Sequence, residues 1–158
     1  MREVAVAEGN GRAGGVAFEL EGHVLEVMGL YDVPAPEGAD LAMAMALTPR
    51  VVNTRGGLQG GLVATLVDLA AARAVALGLG DGESSATADL NIRYLSSVSV
   101  GPAVAAARVL RRGRNLTVVE VTVRDEGRDL VAAVATLSFS IVALRPGQPH
   151  PRDLSPRD

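Results

Sequence analysis

The stretch "NTRGGLQGGLVATLVDLAAA", residues 53–72, decides how the rest of the chain is read. Gly56, Gly57, Gly60 and Gly61 lead into an apolar run whose one charge is Asp68. The apolar residues from Leu62 to Ala76 spread over every face of a 3.6-residue period. That pattern predicts a helix from about Gly61 to Leu77, enclosed by protein on all sides and stopped by the glycines of "LGLGDGESS". A carboxylate is almost never fully buried without a partner, because removing its charge from water is expensive. The nearest helical cation, Arg73, is five residues on and badly phased for pairing. Asp68 therefore accepts hydrogen bonds from Ser or Thr, lies at a wet subunit seam, or is kept for chemistry.

The glycines favour chemistry. Gly60 and Gly61 fall where the helix begins, and the first N–H groups of a helix have no intrahelical acceptor. Glycine lets a substrate oxygen approach them, and the positive end of the helix favours developing negative charge. These are the requirements of an oxyanion hole. Asp68 lies two turns further on, ~11–12 Å along the axis from Gly60. One helix cannot bring both to one reacting carbon. If both act, Asp68 serves a site whose amides come from another chain.

The flanking segments build a sheet around this helix. "LAMAMALT" (41–48) reads as a strand before it, and "SATADLNIRYL" (85–95) as one after it, with Thr87 on the face opposite Ala88, Leu90, Ile92 and Tyr94. "PAVAAARVLRR" (102–112), "LTVVEVTVRD" (116–125) and "DLVAAVATLSFSIVAL" (129–144) follow with tight turns between them, the pattern of consecutive antiparallel strands. The inward sets are Val119, Val121 and Val123, then Val131, Ala133, Ala135, Leu137, Phe139 and Ile141. Upstream, "HVLEVMGL" (23–30) predicts a short helix with Val24, Val27, Met28 and Leu30 inward, and "DVPAPEGAD" (32–40) a loop. The fold class is α+β: a long central helix wrapped by a curved antiparallel sheet of about five to six strands. One helix covers one sheet face, so the apolar outward positions Val118, Ala132, Val134 and Val142 predict an oligomer interface. The domain spans residues 16–144, between a flexible arm (1–15) and a disordered, proline-rich tail (145–158). "GNGRAG" in the arm matches G-x-G-x-x-G but lacks a strand and a crossover helix around it, so it is not read as a dinucleotide site.

Composition excludes much else. The 158 residues carry 48% hydrophobic and 21% charged side chains and a net charge of −3, so no basic field invites nucleic acid or anionic lipid. Cysteine is absent, and the two histidines, His23 and His150, lie far apart. A zinc site or a serine–histidine triad is hard to assemble from these. All 15 basic residues are arginine, which excludes Schiff-base and P-loop lysines. No stretch suits a signal peptide or a membrane span, so the expected location is cytoplasmic. Arg108, Arg111, Arg112 and Arg114 gather at one hairpin end, where they could meet phosphates or form a solvated turn.

The spacing N-x-x-x-x-x-H-G-G-x-x-x-x-x-x-D, then "ATADLNIRYL" and the "G-P…RRGRN" hairpin, resembles that of hotdog-fold acyl-CoA thioesterases of the phenylacetic-acid-degradation type. The resemblance covers about residues 41–142. It implies a hotdog fold, with the helix as sausage and the sheet as bun, paired protomers sharing a continuous sheet, and active sites at the dimer interface. Residue by residue, it implies that Asn53 holds the thioester carbonyl or the water and that Gly60 polarises the carbonyl through its N–H. Asp68 is the general base or nucleophile from the partner subunit, and Thr87 helps to place the water. Gly61, Tyr94 and Arg111 fall near the CoA moiety. The family's histidine before Gly-Gly is Gln59 here, which hydrogen-bonds but carries no proton at neutral pH.

The expectation is a homodimeric or homotetrameric thioesterase cleaving acyl-CoA to free acid and CoA, with no metal and no cofactor beyond the CoA of its substrate. The alternative, motivated by Gln59, is an acyl-CoA-binding sensor or carrier without turnover. A hotdog dehydratase is disfavoured, because neither histidine falls in a dehydratase-like motif.

Overall fold

The computed structural model describes residues 21–153. The "GNGRAG" arm and residues 154–158 lie outside them. The elements are α1 (Val24–Met28), β1 (Leu30–Val33), β2 (Leu41–Met45), α2 (Gly60–Ala76), β3 (Glu83–Tyr94), β4 (Ala103–Arg112), β5 (Leu116–Asp125) and β6 (Leu130–Ala143). The six strands form one antiparallel sheet in the order β1-β2-β4-β5-β6-β3, with α2 packed across one face. This is the hotdog arrangement that the sequence implied.

Alternation explains the strands. In β5, Thr117, Val119, Val121, Val123 and Asp125 are buried while their neighbours are not. Ala103, Ala105 and Ala107 of β4 and Ala70, Ala71 and Ala74 of α2 are all fully buried. Small residues on both elements let the helix lie close to the sheet. Phe139, Leu137, Met43 and Met45 fill the remaining space, and truncating Phe139 to alanine there costs ~3–5 kcal/mol.

Several expectations are corrected. Residues 30–33, read as a helix end and a loop, form β1, paired with β2 from Leu30↔Met45 to Val33↔Ala42. In α1, Met28 is buried but Val24 is half exposed, and Gly29 ends the helix in the left-handed region at φ 57°. Ala132, read as outward, is buried. Residues 145–153, read as a disordered tail, turn back onto the domain: Gln148 donates to Ser84 Oγ at 3.3 Å, and Pro151–Asp153 form a 3-10 turn. Within one protomer α2 is not enclosed on all sides. Val63, Leu66, Val67, Ala70, Ala74 and Val75 are buried, whereas Gly61, Ala64, Thr65, Asp68 and Ala72 remain accessible.

Three β-bulges re-aim side chains. Thr87 pairs with Phe139 and Asp89 with Ser138, so Ala88 is the extra residue. Thr87 thereby faces the helix, on the same side as Leu90, and not the opposite face as expected. In β4, Leu110 is extra between Val109↔Val119 and Arg111↔Val118, which turns Arg111 outward and Arg112 inward. In β6, Ala132 is extra between Val123↔Ala133 and Arg124↔Val131, and its carbonyl accepts from Leu95 and Ser96 at 2.8 and 3.0 Å.

Candidate active site

The approach to α2 is a small closed loop. Val52 bridges Leu58, the Asn53 N–H donates to the Gly57 carbonyl at 2.7 Å, and Gln59 N–H donates to Val51 at 2.9 Å. The Asn53 side chain braces this turn, since Oδ1 accepts from Arg55 N–H at 2.8 Å and Nδ2 donates to the Leu58 carbonyl at 3.4 Å. Gly56 adopts φ 81°, and a Cβ on Gly57 would lie 2.0 Å from Ser97 Oγ. Gly56 is therefore favoured by the turn itself, and Gly57 by the close approach of Ser97 and Val98.

Gln59 is the N-cap of α2. Its Oε1 accepts from Leu62 N–H at 2.9 Å, which leaves the Nε2 amide group as its remaining donor. A Cβ on Gly61 would sit 3.0 Å from that Oε1, so glycine gives the cap its room. Gly60 differs. A Cβ there would meet only the Tyr94 ring, at an ordinary 3.6 Å. Among the described residues no acceptor takes the N–H of Gly60 or of Gly61. Tyr94 lies over this start and donates its hydroxyl hydrogen to the Gly60 carbonyl at 2.7 Å.

Asp68 stands two turns along, on the accessible face of α2, partly exposed. Thr87 donates to its Oδ1 at 2.8 Å. The hydroxyl partner expected for a merely structural Asp68 thus exists, and it is the residue expected to place water. Asp68 does not use Arg73, which pairs in bidentate fashion with Asp32 of β1. The candidate residues fall into two groups. Asn53, Gln59, Gly60, Gly61 and Tyr94 surround the helix start, and Asp68 with Thr87 lies ~12 Å along the same axis.

A cavity of about 360 Å³ opens beside the helix start, lined by Asn53, Leu58, Gly60, Val63 and Tyr94, by residues 95–98, and by Ala132 and Ala133. Its lining is mostly apolar with a few polar groups, the usual character of a small-ligand site. A larger cleft of about 730 Å³ lies on the opposite sheet face under residues 34–39, and none of the candidate residues lines it. It offers an arginine–glutamate pair, Arg108 and Glu120 at 3.0 Å, but no helix terminus and no Asp68.

The cavity wall rests on a residue that the sequence reading passed over. Asp125 is fully buried, and its carboxylate accepts from the N–H groups of Ser99, Val100 and Gly101 at 2.9, 3.3 and 2.7 Å. Burial opposes its ionisation, but these N–H groups and the nearby Arg128 guanidinium outweigh that and lower its pKa. Val98, in the segment so held, accepts from Leu58 N–H at 2.8 Å, which ties that wall to the turn before α2. The signal was available: Asp125 continues the inward series Val119, Val121, Val123.

Of the four hairpin arginines, Arg112 is committed elsewhere. Its Nη1 and Nη2 each donate at 2.8 Å, to the carbonyls of Val75 and Ala74 at the end of α2. Arg108 pairs with Glu120, and Arg111 and Arg114 are exposed on the outer side. Arg111 is on a different part of the sheet from the cavity at the helix start.

Residues 56–132 match the thioesterase superfamily. Mouse acyl-coenzyme A thioesterase 13 is 32% identical over 114 residues, covering 70% of this chain and 79% of that protein. A Caenorhabditis elegans protein bearing an esterase name is 30% identical over 108 residues, and the match spans 68% of this chain and 63% of that one. Among solved structures, a phenylacetic acid degradation-related protein of Ralstonia eutropha superposes with a TM-score of 0.66 at 28% identity, covering 80% of this chain and 93% of the other. The fold is that of the hotdog thioesterases. The chain belongs to the thioesterase superfamily, as the mouse and phenylacetic acid degradation-related relatives indicate. No helix among the described residues is long and apolar enough to cross a membrane.

Proposed function

We propose that the protein hydrolyses acyl-CoA thioesters to the free acid and CoA. The observation that carries the reading is the Thr87–Asp68 hydrogen bond on the accessible face of α2, set apart from two glycine amides without acceptors. In this reading a pair of protomers continues the sheet through β3, whose outer edge is unpaired among the described residues, and brings Asp68 of one opposite Gly60 of the other. Water held by Thr87 attacks the thioester carbon as Asp68 takes its proton, and the carbonyl oxygen becomes an oxyanion received by the helix-start amides. The tetrahedral adduct then breaks its C–S bond, and Asp68 returns the proton to the departing thiolate. Attack by the Asp68 carboxylate itself, through an anhydride that water later opens, uses the same geometry.

Asn53 braces the turn and, at the cavity rim, lies where it can meet the carbonyl or the water, while Gln59 offers its free amide group beside Gly60. Arg111 is assigned to CoA by family resemblance alone. The mouse relative's name supports an acyl-CoA substrate. A panel of acyl-CoAs followed by thiol release tests the activity, and light scattering at micromolar concentration tests the dimer or tetramer. Binding without thiol release from any member would replace this reading with that of a sensor or carrier. A monomer would remove the shared site.

A further inference from the structure

We infer that Tyr94 is a positioning residue, whose hydroxyl strengthens the oxyanion hole by polarising the peptide between Gly60 and Gly61. The inference rests on the hydrolase reading above but concerns a group with no part in that chemistry. The Tyr94 hydroxyl donates to the Gly60 carbonyl at 2.7 Å. That carbonyl and the Gly61 N–H are two ends of one planar peptide group, so charge drawn toward the oxygen makes the N–H a better donor. The Gly61 N–H is one of the two helix-start amides with no acceptor among the described residues. Its neighbour, the Gly60 N–H, shares a peptide with the Gln59 carbonyl, which accepts from Leu62 and Val63 N–H at 3.0 and 3.1 Å. Each open amide is thus backed by hydrogen bonding to its own carbonyl. For Gly60 the helix supplies it; for Gly61 a side chain from β3 adds to it.

The Gly61 carbonyl also accepts from a side chain, Thr65 Oγ1 at 3.0 Å, but that donor belongs to α2 itself, whereas Tyr94 comes from β3. Most carbonyls in the first turn of a helix are satisfied by the helix itself and need no side-chain donor. Tyr94 reaches the site because the β3 register leaves it opposite Ala133, on the helix side of the sheet with Leu90 and Ile92. Its ring also lies 3.6 Å from where a Gly60 Cβ would be, so it limits how that residue can move. The phenolic hydroxyl is the donor in its bond to the Gly60 carbonyl. It touches neither the reacting carbon nor the attacking water, and acts through the backbone.

The test is Tyr94→Phe, which keeps the ring over Gly60 and removes only the donor. We expect kcat to fall about fivefold, well short of deleting a direct oxyanion donor, with KM within about twofold. A second measurement separates polarisation from packing: isotope-edited infrared spectra of an acyl-CoA labelled with carbon-13 at its carbonyl, bound to the hydrolysis-impaired Asp68→Asn protein. The carbonyl band shifts to lower frequency on binding, and adding Tyr94→Phe reduces that shift. Unchanged kcat with an unchanged band overturns the inference, as does a rise in KM at constant kcat, which would make Tyr94 a CoA contact. If the unsubstituted protein binds but does not hydrolyse acyl-CoA, the hydrolase reading fails while the infrared comparison still decides the role of Tyr94. If it does not bind acyl-CoA, both fall.

Discussion

Thr87 reaches Asp68, at 2.8 Å, because a single extra residue in β3 turns it toward the helix. In a regular strand Thr87 and Leu90, three residues apart, would point to opposite faces. The Ala88 bulge puts both on the helix side, with Leu90 packed against the core and Thr87 against the carboxylate. A polar pair is thereby set at the edge of an alanine-rich interior, where it remains accessible to water.

Asp68→Asn is expected to leave fold and assembly intact and to lower kcat by a factor on the order of 10², as loss of a positioned base does. Thr87→Val is expected to cost about tenfold, with KM little changed, if the hydroxyl orients water and carboxylate. Steady-state kinetics with circular dichroism of each variant provide the check. An Asp68→Asn protein with near-full thioesterase activity would return Asp68 to a structural role.

Arg112 and Gly78 act as one unit at the far end of α2. The guanidinium closes the carbonyls of Ala74 and Val75, and a Cβ on Gly78 would lie 2.3 Å from its Cζ. The glycine is needed for this approach, not for a left-handed turn. Arg112→Ala should destabilise the protein by ~2 kcal/mol, since charged donors on helix carbonyls are worth more than neutral ones. Gly78→Ala should cost a similar amount by expelling the arginine. The double variant should then be no worse than about the larger single loss, a departure from additivity measurable by urea denaturation.

The sequence made the frame legible and the bulges illegible. Alternation in 116–125 marked β5 to the residue, because the inward positions 119, 121 and 123 are valine, with the buried polar residues Thr117 and Asp125 at the two ends. A bulge inserts one residue without changing the local composition, so "ATADLN" and "RVLRR" read as unbroken strands. Thr87 consequently reads onto the wrong face, and Arg112 reads as a phosphate contact or part of a solvated turn and not as the clamp on the end of α2 that it forms. β1 was missed because four residues beside a loop carry too little periodicity, and its role depends on pairing with β2. The helix start was legible from its glycines, yet Gly57 and Gly61 proved to have steric reasons of their own.

Asp125 gives the domain an acid limit with a definite sign. Burial disfavours its charge, but three N–H donors and Arg128 favour it more, so its folded pKa lies below the unfolded value of ~3.9. A depressed carboxylate contributes stability that is fully present above the unfolded pKa and is lost as pH falls through the folded one. Urea midpoints should therefore hold steady from neutrality to about pH 5 and decline below about pH 4. Asp125→Asn turns an NH2 group toward backbone donors. It should lose ~2–3 kcal/mol at neutral pH and show a shallower acid decline. An acid slope equal to that of the parent protein would remove Asp125 as the source.

Gln59 offers the most discriminating substitution, because it caps the helix and borders the proposed site at once. Gln59→Ala should lose the cap to Leu62 N–H and ~1 kcal/mol of stability with it. Gln59→His need not. In this same chain His23 caps α1 by accepting from Leu25 N–H through Nδ1 at 3.2 Å, so a neutral imidazole can make this kind of bond. Its Nε2–H would then take the place of the glutamine Nε2, which lies 3.5 Å from where a Gly61 Cβ would be. A gain of up to about tenfold in kcat/KM needs only ~1.4 kcal/mol of extra transition-state stabilisation. The cap requires the unprotonated ring, and the helix terminus also disfavours an imidazolium, so both effects depress the introduced histidine's pKa. Its contribution should be present above the ordinary value of ~6.5 and lost as pH falls through the depressed one, a dependence that glutamine cannot show. The measurement is kcat/KM for short-chain, long-chain and aryl acyl-CoAs from pH 5 to 8 in both proteins. Coinciding profiles would mean that position 59 serves the helix alone, and Gln59 would no longer argue for a binder over a hydrolase.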